Sequence, residues 1–314
     1  MKISFIIPIL NEAESLNILH NEILQHIDNY EYEIIFIDDG STDDSFSVLS
    51  AIADKDRQVK VIKFRRNFGK AEALSVGFDY ACGDVVFTLD ADLQDDPAEI
   101  PHFIEKINEG WDIVCGWKQK RHDPLMKVYP SKFFNLITSA TFGLKLHDYN
   151  CGFKAFKNEV VREIDLYGEM HRYIPALAQA KGFKVTEIPV NHRVRKFGQS
   201  KYGLNRFVRG YLDLFTVKLV TKFNKSPLYL FGGLGSLFAG TGFILALYLT
   251  FMRMVRMVYL TNRPLLFLSI LLIIMGVQFF SIGLIGELLV NQAGKNYRRD
   301  KISVEKVLNH EIDA

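Results

Sequence analysis

Five short apolar runs punctuate the first 117 residues: KISFIIPI (2–9), YEIIFID (32–38), VKVIKF (59–64), DVVFTLD (84–90) and DIVCGW (112–117). Each is nearly continuous in β-branched and aromatic residues, the pattern of strands buried on both faces. Between them lie amphipathic stretches with helical spacing, including Glu12 to His26 and Ala71 to Ala81. This alternation predicts an α/β domain on a parallel sheet covered on both faces. Function in such sheets gathers at the carboxyl ends of the strands. Beyond residue 118 the pattern loosens, with strand-like GFKAF (152–156) and KVTEIPV (184–190).

The C-terminal third changes character. Residues 226–252 and 264–286 contain no charged side chain. About 20 helical residues span a hydrocarbon core of roughly 30 Å, so the two stretches predict a transmembrane hairpin. Ahead of them, residues 205–225 mix basic and aromatic positions (Phe207, Tyr211, Leu214, Phe215, Lys218, Lys222) and predict a helix lying in the membrane interface. The expected organisation is a catalytic domain over 1–204, this interfacial region over 205–225, the hairpin over 226–286 and a tail over 287–314. Ten Lys and Arg flank the hairpin on the domain-and-tail side, against Arg253, Arg256 and Arg263 in its loop. That bias favours a cytoplasmic domain with both termini cytoplasmic. The first apolar run is short and broken by Ser4 and Pro8, unlike a secretion signal. Gly232, Ser236 and Gly240 form a small-residue stripe that suits close helix packing, in an oligomer for instance.

A net charge of +2 gives no footprint for nucleic acid. Three cysteines without a CxxC pair (Cys82, Cys115, Cys151) suit neither a disulfide framework nor a zinc site.

The densest chemistry is Asp90-Ala91-Asp92-Leu93-Gln94-Asp95-Asp96-Pro97, at the end of an apolar run. Side chains two apart in an extended chain point the same way, so Asp90 and Asp92 can meet one divalent cation, with Gln94 completing the protein's share. Oxygen donors of this kind favour Mg²⁺ or Mn²⁺. Asp95, Asp96 and Pro97 read as the start of the next helix. A second acidic run, Asp38-Asp39-Gly40-Ser41-Thr42-Asp43, closes the YEIIFI strand. It serves either as a turn with a helix cap from Ser41, Thr42 or Asp43, or as a nucleotide contact through Asp39. There is no GxGxxG and no P-loop.

In order, PILNE, DDGSTDD, RRNFGKAEAL and DADLQDDP resemble the inverting GT-A glycosyltransferases of the large second family. With two C-terminal spans the chain looks most like the polyprenyl-phosphate branch, the dolichol-phosphate mannosyltransferases and bactoprenol glucosyltransferases. The resemblance implies a GT-A fold, with a Rossmann-like, mixed but mostly parallel sheet, and transfer of a hexose, with inversion, from a nucleotide-diphosphate sugar to a polyprenyl phosphate; UDP-glucose is favoured, with GDP-mannose the alternative. It assigns Pro8, Glu12, Asp39 and Lys70, with Asp90, Ala91 and Asp92, to the nucleotide sugar. Asp90, Asp92 and Gln94 match the metal site. Lys127 and Ser131 resemble the Arg/Ser pair that receives the lipid phosphate, and Lys118 stands where the family often has arginine. Residues 192–202, HRVRKFGQSKY, resemble a mobile basic loop that brings Arg195 and Lys201 to the acceptor. Asp148 matches an acidic position that orients acceptor or sugar, so Asp92, Asp148 and Arg195 are the catalytic candidates. A homo-oligomer, by resemblance a tetramer, is also implied. His147 and His171 read as structural histidines. Competing readings are a tethered transferase with another acceptor, a processive polysaccharide synthase, and a non-catalytic membrane protein that binds or assembles. The synthase reading lacks its Arg-Trp pair, because Gly110 and Gly116 precede the two tryptophans.

Overall fold

The computed structural model describes residues 1–119, 135–164, 166, 168, 170–194, 217, 227–256, 264–292 and 304–309. They fall into two compact units, residues 1–217 with 301–314, and residues 218–300.

The first unit is organised by eight strands: β1 (Lys2–Ile9), β2 (Glu31–Asp38), β3 (Val59–Phe64), β4 (Val85–Thr88), β5 (Ile113–Lys118), β6 (Lys154–Lys157), β7 (Val185–Val190) and β8 (Val304–Leu308). They form one sheet in the order β7-β5-β6-β4-β1-β2-β3-β8. β4, β1, β2 and β3 run parallel, as do β5 and β7, while β6 is antiparallel to both its neighbours. The sheet is therefore mixed and mostly parallel, with the order reversing direction at β1.

Period-two alternation decides which residues go to which face. Ile3, Phe5, Ile7 and Ile9 of β1 join one core, and Ile6 joins the other. The first core is covered by α1 (Leu16–Leu24), α2 (Ser45–Lys55) and α4 (Ile100–Asn108). α1 buries Leu16, Leu19 and Ile23, and α4 buries Ile100, Phe103, Ile104 and Ile107, each a helical stripe. The second core is covered by α3 (Lys70–Tyr80), α5 (Asn158–Glu163) and α6 (Ile174–Ala180). Gly77 of α3 allows that close approach, since a Cβ there would lie 2.3 Å from Ile6 Cγ2.

At the amino end of the sheet one carboxylate is sealed in. Glu33, 1 % exposed, accepts from Ser4 Oγ (2.5 Å), Cys82 N (2.6 Å) and Lys60 Nζ (2.9 Å). The three thiols are free, with Cys115 and Cys151 buried and Cys82 exposed.

The second unit contains two long helices, α7 (Pro227–Arg256) and α8 (Pro264–Gln292). The spans Pro227–Val255 and Pro264–Gly286 have mean hydropathy 1.8 and 2.6, and both are long and apolar enough to cross a membrane. Only 17 % and 11 % of their most apolar windows is buried, which separates them from the core helices of a soluble domain. The helices meet through glycines. A Cβ on Gly276 would lie 2.5 Å from Ala239 N, one on Gly235 2.7 Å from Gly276 O, and one on Gly242 2.7 Å from Ser269 O. The close approach thus runs through Gly235, Ala239, Gly242 and Gly276, whereas Gly240 of the sequence stripe meets nothing within 4 Å.

The residues after the hairpin hold a further element. β8, inside the stretch expected to be a tail, pairs antiparallel with the edge strand β3, Val307 opposite Ile62. Asn309 then donates to the carbonyls of Ala53 (2.7 Å) and Val59 (3.1 Å). The chain leaves the first unit after residue 217 and rejoins the same sheet at β8.

Candidate active site

Three strand ends meet at the sheet's carboxyl edge. β1 ends in the turn bearing Asn11 and Glu12, β2 in Asp38-Asp39, and β4 leads into the acidic turn 90–96. The first two are tied together by local hydrogen bonds. Asn11 N donates to Ser41 Oγ (3.0 Å), Thr42 N donates to Asn11 Oδ1 (2.8 Å), and Glu12 N donates to Ser45 Oγ (2.9 Å). Asp43 accepts from Ser45 N (3.0 Å), the first residue of α2, whose N-cap position is Asp44. Gly40 has φ +72° and a Cβ there would lie 2.5 Å from the Arg66 carbonyl carbon, so only glycine fits.

Asp38 and Asp39 are both buried. Asp38 accepts from Ser41 N (2.8 Å). Asp39 spends both oxygens on the loop before α3, accepting from Phe68 N (2.6 Å) and Gly69 N (2.9 Å). Burial pushes its pKa up, opposed by those two amides. In this arrangement Asp39 shapes the RRNFGK loop, and Lys70, the first residue of α3, is delivered to the acidic turn by that loop.

The turn after β4 is built differently. Leu93 sits in the left-handed region at φ +60°, a conformation costing about 1–2 kcal/mol for a residue of its kind. Asp90 is half-buried and accepts from Lys70 Nζ. Burial would raise its pKa, but Lys70, Lys118 and Lys154 hold it well below the usual carboxylate range. Asp92 goes the other way. Burial, then repulsion from Asp90 and Asp95, pushes it up to about 6, although Gln94 N donates to it at 3.1 Å. Two crowded carboxylates of which one resists ionisation are what a divalent cation relieves. The oxygen donors suit Mg²⁺ or Mn²⁺ and leave positions for diphosphate oxygens. Among the described residues no group of three His, Cys, Asp or Glu side chains gathers as a protein-only metal cage. Asp90, Asp92 and Gln94 are the residues that would hold such a cation. The Gln94 amide nitrogen lies 3.3 Å from His192 Nε2 and 3.4 Å from Arg193 O, so a metal contact falls to its carbonyl oxygen.

The rest of the run divides its work. Asp96, not Asp95, begins the next helical segment, accepting from Ala98 N at 3.1 Å just before Pro97. Asp95 turns inward to Lys118 Nζ at 3.2 Å. Burial would lower the Lys118 pKa, but Asp95 and neighbouring acids raise it well above normal, so it is a permanent cation beneath the turn. Sequence reasoning missed a clamp on the turn's outer side. Arg193 donates to Asp96 Oδ1 and Glu22 Oε2, both at 2.6 Å, and its main-chain N–H donates to Gln94 O at 2.9 Å. Asn191 Nδ2 reaches Asp96 Oδ2 at 3.0 Å, and Asp95 bridges His192. The basic composition of 192–202 is visible in the sequence, but partners 97 and 171 positions away are not.

Of the other expected residues, Pro8 lies in β1 opposite Ile37, and Ala91 is buried between the two acids. Asp148 is buried and accepts from Asn150 N at 3.0 Å. Lys127, Ser131, Arg195 and Lys201 lie outside the described residues, as does the interfacial stretch apart from Val217. His147 is exposed; its ring stacks on Trp117 at 4.1 Å between centroids and pairs with Glu187.

Residues 4–165 match the model of Glycosyl transferase family 2. The chain belongs to that family. Over its full length it is 30% identical to dodecaprenyl-phosphate galacturonate synthase of Rhizobium johnstonii, covering 94% of that protein. It is 35% identical over 91% of its length to undecaprenyl-phosphate 4-deoxy-4-formamido-L-arabinose transferase of Klebsiella pneumoniae, covering 87% of it. Among solved structures it resembles glucosyl-3-phosphoglycerate synthase from Mycobacterium tuberculosis in complex with Mn²⁺, UDP and phosphoglyceric acid. That likeness has a TM-score of 0.56 at 19% identity, over 70% of this chain and 78% of the other, and it establishes the GT-A fold of this family 2 member.

Proposed function

We propose that this family 2 glycosyltransferase moves a sugar, with inversion, from a nucleotide-diphosphate sugar to a polyprenyl phosphate at the cytoplasmic membrane surface. The observation that carries the reading is the acidic turn after β4, with Asp92 pushed up to about 6 beside Asp90, in a chain that also bears two membrane-length helices. Full-length similarity to two transferases whose names specify polyprenyl-phosphate acceptors supports it.

The chemistry needs little base catalysis. A phosphate monoester has its second pKa near 6, so the acceptor is largely a dianion at neutral pH. Departure of the nucleoside diphosphate is the harder event, and a divalent cation bound at Asp90, Asp92 and Gln94 would supply charge stabilisation to it. Lys70 and Lys118 add fixed positive charge beside the same turn. Lys127, Ser131, Arg195 and Lys201 are the proposed hosts of the acceptor phosphate, and Asp148 the proposed orienting acid. Positive charge and hydroxyl donors are needed there because apolar surroundings penalise an unpaired dianion. The hairpin keeps the enzyme where the polyprenyl tail is, since pulling such a tail from the bilayer costs about 0.8 kcal/mol per CH₂.

The return of β8 to the β3 edge supports the topology. A chain that leaves one sheet, crosses twice and rejoins that sheet has both flanks of its hairpin on one side. Cysteine labelling of intact cells tests it: a thiol introduced at Thr261 should label from outside and one at Ala314 should not.

The family resemblance favours UDP-glucose, with GDP-mannose second, and the comparisons support neither sugar. The relatives' names bring in galacturonate and 4-deoxy-4-formamido-L-arabinose, so the donor panel has to extend beyond neutral hexoses. Full-length protein in nanodiscs, given undecaprenyl phosphate, Mn²⁺ and a panel of UDP- and GDP-sugars, should form a glycolipid detectable by mass spectrometry, and EDTA should stop it. Hydrolysis of donor without glycolipid from any member of the panel would reject the acceptor.

A further inference from the structure

From Pro264 to Gly286 α8 carries no charge, but it carries one side-chain amide, that of Gln278. Gln278 lies nine residues before Glu287, the first charged position of the helix. At 1.5 Å per residue that is roughly 13 Å along the axis, near the middle of a hydrocarbon core about 30 Å thick. Several hydroxyls of the hairpin are satisfied locally. Thr241, Thr250 and Ser281 donate to the carbonyls of Leu237 (2.7 Å), Ala246 (2.9 Å) and Val277 (2.9 Å), one turn back. Gln278 is exposed, and among the described residues no group hydrogen-bonds its amide. Two N–H donors and a carbonyl oxygen turned toward acyl chains are costly. The amide calls for a polar partner at its own depth.

The helix face around it narrows the choice. Phe267, Leu271, Ile274, Gln278, Ser281 and Ile285 alternate four and three residues apart, the spacing of a heptad seam, and all of them are exposed. At about 100° per residue they lie within roughly 40° of the line opposite Gly276. Gly276 is where α8 meets α7, so the seam is the face turned away from α7. Such a seam packs two helices along their length at a shallow crossing. Ser281, one turn from Gln278, is small and lets a neighbouring backbone come close. A second copy supplies the missing polar group by symmetry. Two chains with the same topology in one membrane are related by an axis along its normal, which sets Gln278 opposite Gln278 at equal depth. A primary amide is its own complement, each carbonyl accepting from the other's N–H. A polyprenyl tail has no polar group to offer, and lipid headgroups stay at the surface.

We propose that this face of α8 is an interface between two copies of the chain, packed parallel and joined at Gln278 by reciprocal amide hydrogen bonds. The inference rests on the hairpin crossing the bilayer, and not on which sugar or acceptor the enzyme uses. One amide in an otherwise apolar seam also fixes the register, because sliding one helix along the other breaks both bonds.

The test uses the full-length protein in liposomes. Energy transfer between copies labelled with donor and acceptor fluorophores, followed as lipid is added, measures their association. Gln278→Leu keeps the helix apolar and should weaken association by about threefold to thirtyfold, the scale of interhelical hydrogen bonds in lipid. Gln278→Asn should retain part of it. In a Cys82→Ser background, which removes the exposed native thiol, Ile274→Cys and Ile285→Cys should cross-link between copies on oxidation. Leu284→Cys, exposed but off the seam, should not. Equal association of wild type and Gln278→Leu would overturn the proposal, as would cross-links at Leu284→Cys as strong as those on the seam. Cross-links from the seam to a different polypeptide in native membranes, with none between copies, would assign the face to another membrane protein and overturn it as well. Release of wild type from membranes by alkaline carbonate would reject the membrane-spanning reading itself, and the contact with it.

Discussion

Two pairs of aspartates close two strands of the same sheet, and the fold treats them in opposite ways. Asp38 and Asp39, after β2, are buried; Asp39 has both oxygens filled by the main-chain amides of Phe68 and Gly69, and Asp38 accepts from Ser41 N through Oδ1. Asp90 and Asp92, after β4, are gathered against other carboxylates and answered by lysines, with Asp92 pushed up to about 6. An acid whose oxygens are filled by amides holds loops in place. An acid held in repulsion with its neighbour is the kind that a cation would relieve. Residue type alone does not separate the two roles, and the partner atoms do.

The largest expected effect therefore belongs to the second pair. Asp92→Asn should lower glycolipid formation by about a hundredfold or more, as removal of a group facing developing transition-state charge does elsewhere. Thermal stability should hold or rise, because a repelling charge is gone. Kinetics across an Mn²⁺ titration, run beside a melting curve, check both halves. A variant that melted early while its residual activity kept the normal metal requirement would move Asp92 into the class of Asp39.

Asp39→Ala should show the reverse balance. It strips two half-buried amides, those of Phe68 and Gly69, of their acceptor, at a cost of about 1–3 kcal/mol. The metal requirement of the folded fraction should not change. Asp39→Asn keeps one acceptor oxygen and should fall between Ala and wild type in the same melting assay. Unchanged stability with weakened UDP binding would make Asp39 a nucleotide contact first and a loop holder second.

Glu33, at the amino end of β2, gives a third carboxylate with no site nearby, and so a control. Burial would raise its pKa, but hydrogen bonds from Ser4, Lys60 and Cys82 N more than offset this and leave it below the ordinary 4.5. A depressed folded value means its ionised form contributes stability above the unfolded pKa. That contribution is lost as pH falls from about 4.5 through the folded value. Glu33→Gln should melt earlier than wild type at pH 7, and the gap should narrow toward pH 3. A constant gap would show that shape, not charge, is what Glu33 supplies.

The sequence exposed most of this frame and less of its wiring. The runs 2–9 and 59–64 match β1 and β3 residue for residue, and the expected strands 84–90 and 112–117 lie within a few residues of Val85–Thr88 and Ile113–Lys118. Local apolar runs carry that information. β8 was not legible because VEKVL, in a charged stretch, becomes a strand only by pairing with β3 some 240 residues earlier. The acidic turn was legible as a metal candidate from two-residue spacing. Asp95 was read as a helix start, yet a buried lysine from β5 draws it inward and leaves capping to Asp96. Lys154 drew no notice, since in the string GFKAF nothing marks a lysine that will be 3 % exposed.

The smallest expected effect tests whether the acidic turn is graded within itself. Asp96 has partners on both oxygens, Asn191, Ala98 N and Arg193, and its pKa is lowered accordingly. Arg193 also holds Glu22 of α1, so it fastens the turn to a helix of the first core. The pair is partly exposed, its guanidinium 29 % and the Asp96 side chain 11 %, so solvent screening limits its worth to about 1 kcal/mol. Arg193→Gln should lower the melting temperature only slightly. It should raise the half-saturating Mn²⁺ concentration several-fold while UDP affinity at saturating metal stays near normal, because the turn that presents Asp90 and Asp92 has lost its outer tether. Glu22→Gln leaves the Asp96 contact in place and should do less. The double variant should match Arg193→Gln alone if the two act through one clamp. An Arg193→Gln enzyme with normal metal dependence would mean that Lys118 beneath the turn, and not the outer clamp, sets the geometry of the metal carboxylates.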